Sequence, residues 1–384
     1  MIRYLYPPMP LRIALIARST LYRVPGGDTI QIQQTARLLN ASGIKADICL
    51  THEKITYNRY DLLHFFNITR PADILYHINK TPQRFIVSTI HIDYREYDSI
   101  YRKGLSGFIL RMLPAHGSEY IKTLLRRLKG QDQWKGWQFV WKGQYKTIQE
   151  ILRRAAIVLP NSYSEYTRLA KTYHLQPAYK VIPNGIDPQL FQYNPQIAKD
   201  PNLVICVARI EGIKNQLTLI QALNNTKYKL LLIGSPSPNQ QEYYMRCRKA
   251  AASNIRFINN LSQQELLQFY QQASIHILPS WFETTGLSSL EAAAMGCKVI
   301  ITDKGDAKEY FRSLAGYCNP QSPESMYAAI EAAAAQPYDN TLRNKILSNY
   351  IWQEATDATV DAYKEVIQSY EATHRHSWHK RYTQ

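Results

Sequence analysis

Short runs of hydrophobic residues alternate along the chain with segments of helical length. In the first half, the runs predict strands at 12–17, 46–50, 62–66, 85–91, 156–160 and 180–183. After a polar interval the pattern starts again, and it predicts strands at 203–208, 229–234, 255–258, 274–279 and 298–302. Strands that alternate with helices are typical of parallel sheets with helices on both faces. The two series therefore predict two doubly wound α/β domains.

The polar interval at 184–202 is rich in Pro, Asn and Asp and is the predicted linker. It places a first domain at 1–190 and a second at 200–350. A further helix is predicted within 352–384. The length of 384 residues fits two domains of ordinary size.

One segment, 101–150, breaks the alternation. It holds ten Lys or Arg against three Asp or Glu, and three of the six Trp of the chain. Its hydrophobic residues recur at helical spacing, and Trp134, Trp137 and Trp141 follow them. A basic amphipathic helix with Trp favours docking on an anionic membrane surface. The alternative is a helical lid with an ordinary solvated basic face.

Composition narrows the class of protein. Hydrophobic residues make up 45% and charged residues 20%, which excludes a disordered chain and a membrane bundle. No hydrophobic run approaches the roughly 20 residues of a spanning helix, and no signal peptide is apparent. Five scattered cysteines indicate reduced thiols in a cytoplasmic protein. The net charge of +16 favours an anionic partner: nucleic acid, an acidic membrane or a phosphorylated substrate.

The richest candidate site follows the strand at 274–279, since ligands of doubly wound folds bind beyond the carboxyl ends of strands. Glu283 lies on the predicted loop, Gly286 permits a close backbone approach, and Glu291 falls in the helix that follows. Two carboxylates would then flank free helix amides, which suit sugar hydroxyls and phosphate. Taken alone, the pair favours a simpler interpretation, a surface Glu on a loop and a Glu that stabilises a helix dipole.

Three smaller candidates occupy other strand ends. Arg209 and Lys214 follow one strand and could neutralise a diphosphate, although they also fit a solvated pair. Gly26 and Gly27 open a predicted helix and could approach a phosphate, or simply form a turn. His91 ends a strand and could donate a hydrogen bond to a substrate hydroxyl, or be structural.

Taken in order, these sites resemble the family 4 (group 1) retaining glycosyltransferases of the GT-B fold. The family signature is E-x7-E, and Glu283 and Glu291 have that spacing within matching surroundings. The Arg209–Lys214 spacing, segment 181–187 and the early Gly-Gly pair match as well. The end of the chain resembles the family's helix that crosses back to the first domain. The resemblance implies two Rossmann-like domains that face each other across a cleft.

The resemblance also implies roles for the donor site. Glu283 would contact hydroxyls of the donor sugar and Glu291 the ribose. The donor would further contact loop residues Thr284, Thr285, Gly286 and Leu287. Arg209 and Lys214 would stabilise the departing diphosphate, Gly26 and Gly27 would approach it from the first domain, and His91 would lie near the reacting carbon.

The expected reaction moves a sugar from a nucleotide-diphosphate sugar to a glycan or lipid-linked acceptor, with retention of configuration. No Asp-x-Asp motif occurs, so the resemblance implies no metal and no cofactor. Three departures from the family pattern leave the donor sugar undefined: Thr285, the segment 296–298 and the segment 305–309, a degraded Gly-Gly-x-x-Glu.

Two other classes of function stay open at this point. One is a different GT-B enzyme, such as a nucleotide-sugar epimerase or a sugar phosphorylase. The other is a non-catalytic basic protein that binds nucleotide or nucleic acid. Against the latter, no RNA-binding or helix-turn-helix motif is visible, and the basic excess is concentrated in one segment, so no nucleic acid partner is expected.

Overall fold

A computed structural model describes residues 10–93, 96–97 and 138–382. The helices among these residues are α1 Gly27–Ala41, α2 Pro71–Ile78, α3 Gln138–Arg154, α4 Tyr163–Tyr173, α5 Gln216–Leu223, α6 Gln241–Ala250, α7 Gln263–Gln272, α8 Leu287–Ala294, α9 Ala307–Phe311, α10 Pro323–Ala335, α11 Thr341–Asn349 and α12 Trp352–Tyr382. Most of the predicted segment 101–150, including Trp134 and Trp137, lies outside the described residues.

The first parallel sheet is built from the first series of strands. These are β1 Arg12–Ala17, β2 Lys45–Leu50, β3 Leu62–Phe66, β4 Phe85–Ser88 and β5 Val158–Leu159. Their order in the sheet is β2-β1-β3-β4-β5, and each neighbouring pair is parallel. Strands β3 and β4 are buried along their whole length, as expected for a sheet covered on both faces.

The second parallel sheet is built from the second series. Its strands are β6 Asp200–Val207, β7 Lys229–Ile233, β8 Ile255–Ile258, β9 Ala273–Leu278, β10 Lys298–Thr302 and β11 Gly316–Cys318. The order is β11-β10-β9-β6-β7-β8, again parallel throughout. Two doubly wound α/β halves are therefore present, as the hydrophobic pattern predicts.

Three details differ from the predicted strands. Residues 180–183 form no strand, and only Tyr179 bridges Val158. The amides of Lys180 and Ile182 donate to the carbonyls of Val158 and Pro160, but Pro160 has no N–H to donate in return, which limits pairing there. The fourth strand ends at Ser88 because the backbone turns at Ile90, whose φ is +44°. The short edge strand β11 was not predicted, since three residues carry no periodic signal.

The chain passes between the two halves twice, once in the linker and once before α12, and the two segments are adjacent. The Ile186 amide donates to the Tyr350 carbonyl at 2.9 Å, and the Trp352 amide donates back to the Ile186 carbonyl at 3.1 Å. A Cβ on Gly185 would lie 2.4 Å from the Ile351 carbonyl carbon, so only glycine permits this approach. The linker and the start of α12 therefore run side by side between the sheets.

Helix α12 packs against the first sheet although it follows the second along the chain. Tyr363 is fully buried, and its hydroxyl lies 2.8 Å from Nδ1 of His64 on β3. The other ring nitrogen of His64 lies 2.9 Å from the Ser88 hydroxyl. The helix thus crosses back to the first half, as the resemblance implies. Within the described residues, no helix is both long and apolar enough to cross a bilayer.

Candidate functional site

An ion pair joins two of the predicted site residues at the carboxyl edge of the second sheet. Lys214 ends a short turn after β6, and Glu283 lies on the loop after β9, the strand beside β6. The Lys214 Nζ lies 2.5 Å from Glu283 Oε1, and the Ser280 hydroxyl donates to the same oxygen at 2.5 Å. The Glu283 side chain is 7% exposed and the Lys214 side chain 21%. A positive and a negative group therefore face each other where the fold binds ligands.

The loop that carries Glu283 is fixed by a backbone bridge to Gly305. The Asp306 amide donates to the Glu283 carbonyl at 2.8 Å. Gly305 has φ +89°, and a Cβ there would lie 2.2 Å from the Glu283 carbonyl oxygen. A side chain at position 305 would therefore push the loop away and displace the carboxylate.

Glu291 is buried in α8 and bound by residues of α7. Its carboxylate accepts hydrogen bonds from the Gln263 amide at 2.7 Å and from the Tyr270 hydroxyl at 2.9 Å. Burial raises the pKa of Glu291 to about 7, and the two hydrogen bonds only partly oppose that shift. Glu291, the second carboxylate of the E-x7-E spacing, is thus fixed by two hydrogen bonds and has a pKa of about 7.

Between the two carboxylates the chain turns sharply into α8. Gly286, with φ +74°, precedes the first helical residue, Leu287. The first amides of α8 have no preceding helical carbonyl to bind. Thr284 is half-buried on this turn. The buried Thr285 hydroxyl contacts the Asn184 side chain at 3.1 Å.

The Gly26–Gly27 turn of the first half approaches these second-half groups. A Cβ on Gly26 would lie 3.9 Å from the guanidinium of Arg209, and one on Gly27 would lie 3.4 Å from Leu287. Arg209 is 40% exposed and pairs with Glu211 at 3.0 Å. The structure therefore brings the glycine turn, Arg209 and the start of α8 together, as expected for one cleft.

A second ion pair shapes the glycine turn. Arg18, at the end of β1, forms two hydrogen bonds of 2.6 and 3.0 Å with Asp28 in the first turn of α1, and one of 2.7 Å with the Val24 carbonyl. Burial raises the pKa of Asp28, but the charges of Arg18 and Arg209 outweigh burial and hold that pKa below its usual value. Arg18 thereby fixes the chain that leads into Gly26.

His91 lies in the first half on a turn that buried Glu165 clamps. The Glu165 carboxylate accepts from the Thr89 hydroxyl, from the His91 amide at 2.8 Å and from the Asn161 amide at 2.9 Å. Burial raises the pKa of Glu165. The turn holds Ile90 at φ +44°, a conformation that costs energy for a β-branched residue. The His91 ring packs edge-on against Tyr173, with centroids 5.8 Å apart.

Two carboxylates of the second half reach the first half beside this turn. Asp306 binds Arg168 of α4 at 2.5 and 2.9 Å. Glu309 accepts from the backbone amides of Tyr163 and Ser164 at 2.8 and 2.9 Å, at the start of the same helix. The loop at 305–309, read from sequence as a degraded motif, is therefore a contact between the halves.

A buried tyrosine completes that contact. The Tyr310 hydroxyl donates to the Asn161 carbonyl at 2.6 Å and accepts from the Asn184 amide at 3.3 Å. The hydroxyl of Thr285 also donates to it at 3.2 Å. One phenol thus joins the first half, the linker and the candidate loop.

Sequence reasoning identified segment 305–309, which contains Asp306 and Glu309, only as a departure from the family pattern. It missed Arg18, Glu165, Arg168 and Tyr310 altogether. Only Glu165 carried a usable signal, because Ser162-x-x-Glu165 has the spacing of a helix capping box. The Ser162 hydroxyl does accept from the Glu165 amide, at 3.0 Å. The Glu165 carboxylate, however, turns to the loop that carries His91.

Comparison with known proteins assigns a family to the second half. Residues 190–350 match the profile of the family described as "Glycosyl transferases group 1". Glycogen synthase of Mycobacterium tuberculosis is 28% identical over 196 residues, which span 48% of this chain and 47% of that protein. D-inositol 3-phosphate glycosyltransferase of Kribbella flavida is 27% identical over 180 residues, 41% of this chain and 42% of that protein. Each match thus spans less than half of the relative's own length.

Solved structures share the fold over nearly the whole chain. A sucrose-phosphate synthase from Thermosynechococcus elongatus superposes with a TM-score of 0.70 at 17% identity and covers 94% of this chain and 100% of its own. The Anabaena protein HepE, solved in complex with UDP-glucose, superposes with a TM-score of 0.67 at 14% identity and covers 92% and 100%. The chain therefore has the GT-B fold, and its residues 190–350 match the group 1 glycosyltransferase family.

Proposed function

We propose that this protein transfers a sugar, with retention of configuration, from a nucleotide-diphosphate sugar to a hydroxyl of a glycan or lipid-linked acceptor. The observation that carries the proposal is the ion pair of Lys214 with Glu283 at the carboxyl edge of the second sheet, the edge where Arg209 and Leu287 approach the Gly26–Gly27 turn. A cation and a carboxylate side by side can bind the two ends of the bond that breaks. The family assignment of residues 190–350 supports the same chemistry.

When the donor binds, its diphosphate would replace Glu283 as the partner of Lys214. A diphosphate carries charge that competes with the Glu283 carboxylate for Lys214, and Arg209 lies at the same strand end with 40% of its side chain exposed. Once released from the lysine, Glu283 can accept hydrogen bonds from sugar hydroxyls. The loop at Thr284 and the first amides of α8 lie beside the same carboxylate and would bind the donor.

Stabilisation of the leaving group is the main catalytic effect that these residues can supply. The bond between the anomeric carbon and the phosphate oxygen breaks, and its electron pair stays on the nucleotide diphosphate. Fixed cations at that oxygen lower the barrier because they require no reorganisation. The acceptor oxygen bonds to the anomeric carbon on the face that the diphosphate leaves, and its proton passes to the departing phosphate oxygen. The proposal requires no metal ion and no carboxylate nucleophile.

The decisive experiment is a donor panel. The protein is screened by thermal shift against UDP-, GDP- and ADP-sugars, and then incubated with each stabilising donor, with and without EDTA. Slow release of nucleotide that survives EDTA supports the proposal, and the anomeric configuration of a transfer product tests retention. UDP-sugars come first, because HepE was solved with UDP-glucose. Conversion of the donor without release of nucleotide indicates an epimerase, and no binding of any donor contradicts the proposal.

An acceptor at a membrane is the finer part of the proposal. Trp141, on α3 at the end of the basic segment, is 88% exposed, and Lys142 and Lys146 beside it are exposed as well. An exposed indole among cations suits the interface of an anionic bilayer. We propose a cytoplasmic protein that is peripheral on the inner face of the cell membrane and uses a lipid-linked acceptor.

A further inference from the structure

Arg168 of α4 lies between the two halves of the candidate site. Its guanidinium binds both oxygens of Asp306, at 2.5 and 2.9 Å, and donates to the carbonyl of His91 at 2.6 Å. It also stacks on the ring of Phe282, with 4.8 Å from Cζ to the ring centroid. The Arg168 side chain is 17% exposed and that of Asp306 is fully buried. A buried guanidinium that forms two hydrogen bonds with one carboxylate holds that carboxylate in a single orientation.

On the second-half side, these contacts end at Glu283. Phe282 is its neighbour in the chain, and the Asp306 amide donates to the Glu283 carbonyl at 2.8 Å. Both partners of Arg168 in this half therefore contact Glu283 directly: Phe282 through the peptide bond and Asp306 through a hydrogen bond. Glu283 carries the carboxylate proposed to bind the donor sugar.

On the first-half side, the contacts end at His91. Arg168 holds its carbonyl while Glu165 holds its amide at 2.8 Å, and the turn before it is kept in a left-handed conformation. A backbone fixed at both ends sets the direction of the imidazole. Loss of the Arg168 contact would free the carbonyl side of His91 and leave only its amide fixed.

We propose that Arg168 is a positioning residue, which fixes the distance and orientation of His91 relative to Glu283 when the two halves meet. Asp306 connects it to the Glu283 loop. The inference rests on the proposed function. It adds that the contact of Arg168 with Asp306, which joins the two halves, also aligns the groups proposed to react. Binding of the nucleotide depends on other residues, chiefly Arg209, Lys214 and Glu291, and so should be independent of Arg168.

The activity test separates kcat from binding. Arg168→Ala should lower kcat for the active donor about 10- to 100-fold, since misplacement of a catalytic group by about 1 Å costs that much, while the Kd of the free nucleotide changes less than about threefold. Arg168→Lys, which keeps the charge, should recover part of the loss. In a His91→Ala background, Arg168→Ala should cause little further loss, because groups that act as a unit are not additive. Full additivity there would overturn the inference.

Glu309→Gln is the matched control. It weakens a contact of the same loop with the same helix, but Glu309 binds the amides of Tyr163 and Ser164 and leaves His91 untouched. This variant should lose thermal stability and keep kcat. An equal loss of kcat in Glu309→Gln and Arg168→Ala would mean that the contact is structural only, and would overturn the inference.

A spectroscopic readout needs no turnover. With ¹³C-labelled histidine, the imidazole signal of His91, assigned by its loss in His91→Gln, should shift in Arg168→Ala and Asp306→Asn and stay in place in Glu309→Gln. An unshifted signal in the first two variants would refute the positioning role. A wild-type protein without turnover on any donor would instead refute the proposed function, and the histidine signal would still decide the role of Arg168.

Discussion

Lys214 Nζ lies 2.5 Å from the Glu283 carboxylate, which also accepts a hydrogen bond from Ser280. The two residues are 69 positions apart along the chain, and adjacent strands of the second sheet bring them together. The pair is the smallest unit of the candidate site that contains both the group proposed to bind the sugar and the group proposed to bind the diphosphate.

Substitution of either partner should abolish most of the turnover. Glu283→Gln removes the negative charge and replaces one acceptor oxygen of the proposed sugar-binding carboxylate by an NH2 donor. Lys214→Ala removes the cation proposed to lie at the leaving phosphate. Each should lower kcat by about 10²–10³-fold, the usual effect of removing one preorganised group, while the circular dichroism spectrum stays native. Lys229→Ala, which breaks the exposed pair with Asp200, is the control and should keep wild-type turnover. Wild-type rates in both site variants would contradict the assignment.

Glu291 predicts a pH effect on stability. Burial raises its pKa in the folded state from 4.5 to about 7, so the folded protein binds more protons at this site than the unfolded chain between those pH values. The contribution of Glu291 to the free energy of unfolding therefore falls as the pH rises through that window. Glu291→Gln lacks this loss.

The measurement compares melting temperatures of wild type and Glu291→Gln at pH 5 and at pH 8. The variant should gain about 2–3 kcal/mol relative to wild type between the two values, at about 1.4 kcal/mol per pH unit. Glu324→Gln, a change of an exposed carboxylate on α10, serves as the control and should show no such gain. A constant difference between Glu291→Gln and wild type would mean that Glu291 titrates normally in the fold.

Much of this fold follows from local signals in the sequence. Runs such as 12–17 and 62–66 are hydrophobic because the sheets are covered on both faces, and their alternation with helices specifies parallel topology. The short edge strand β11 carries no such signal. The end of β4 depends on the conformation of Ile90, which Glu165 imposes from 75 residues away.

In the candidate site, too, some residues can be predicted from local sequence signals and others depend on distant contacts. Glycines, cations and carboxylates at strand ends are visible in the sequence, because the fold places all strand ends at one edge. The contacts of Arg168 with Asp306 and of Tyr310 with Asn161 are not, since they depend on how the two halves face each other. Spacing along the chain carries no information about that arrangement.

Gly305 provides a test of the loop geometry. Gly305→Ala would force a Cβ to 2.2 Å from the Glu283 carbonyl oxygen at a φ of +89°. The matched control is Gly43→Ala, whose φ is +86° and whose Cβ would meet no atom within 4 Å. The control should cost about 1 kcal/mol, the penalty for a left-handed alanine. Gly305→Ala should cost at least about 3 kcal/mol by urea unfolding and should lose turnover, and equal costs would show that the bridge to Glu283 is dispensable.

His64 and Tyr363 tie helix α12 to the first sheet. Burial lowers the pKa of His64 to about 3, so the ring is neutral and contributes stability that is complete above pH 6.5 and is lost as the pH falls toward 3. Tyr363→Phe leaves a buried ring nitrogen without its partner and should cost about 1–3 kcal/mol. Tyr338→Phe, at a site 39% exposed, should be nearly neutral. Equal melting temperatures for the wild type and Tyr363→Phe would contradict this account of the crossing.

A test with Trp141 distinguishes two functions of the basic segment 101–150: docking on a membrane surface, or forming an ordinary solvated face. Co-sedimentation at low salt should show binding to vesicles that contain phosphatidylglycerol and none to pure phosphatidylcholine vesicles. Trp141→Ala should weaken the binding roughly 30-fold, since burial of an indole is worth about 2 kcal/mol. Met245→Ala removes a comparably exposed apolar side chain from the second half, 59% exposed, and should leave binding unchanged. Absence of binding to the anionic vesicles would end the membrane proposal and leave the proposed donor chemistry of Lys214 and Glu283 untouched, because neither residue belongs to the basic segment.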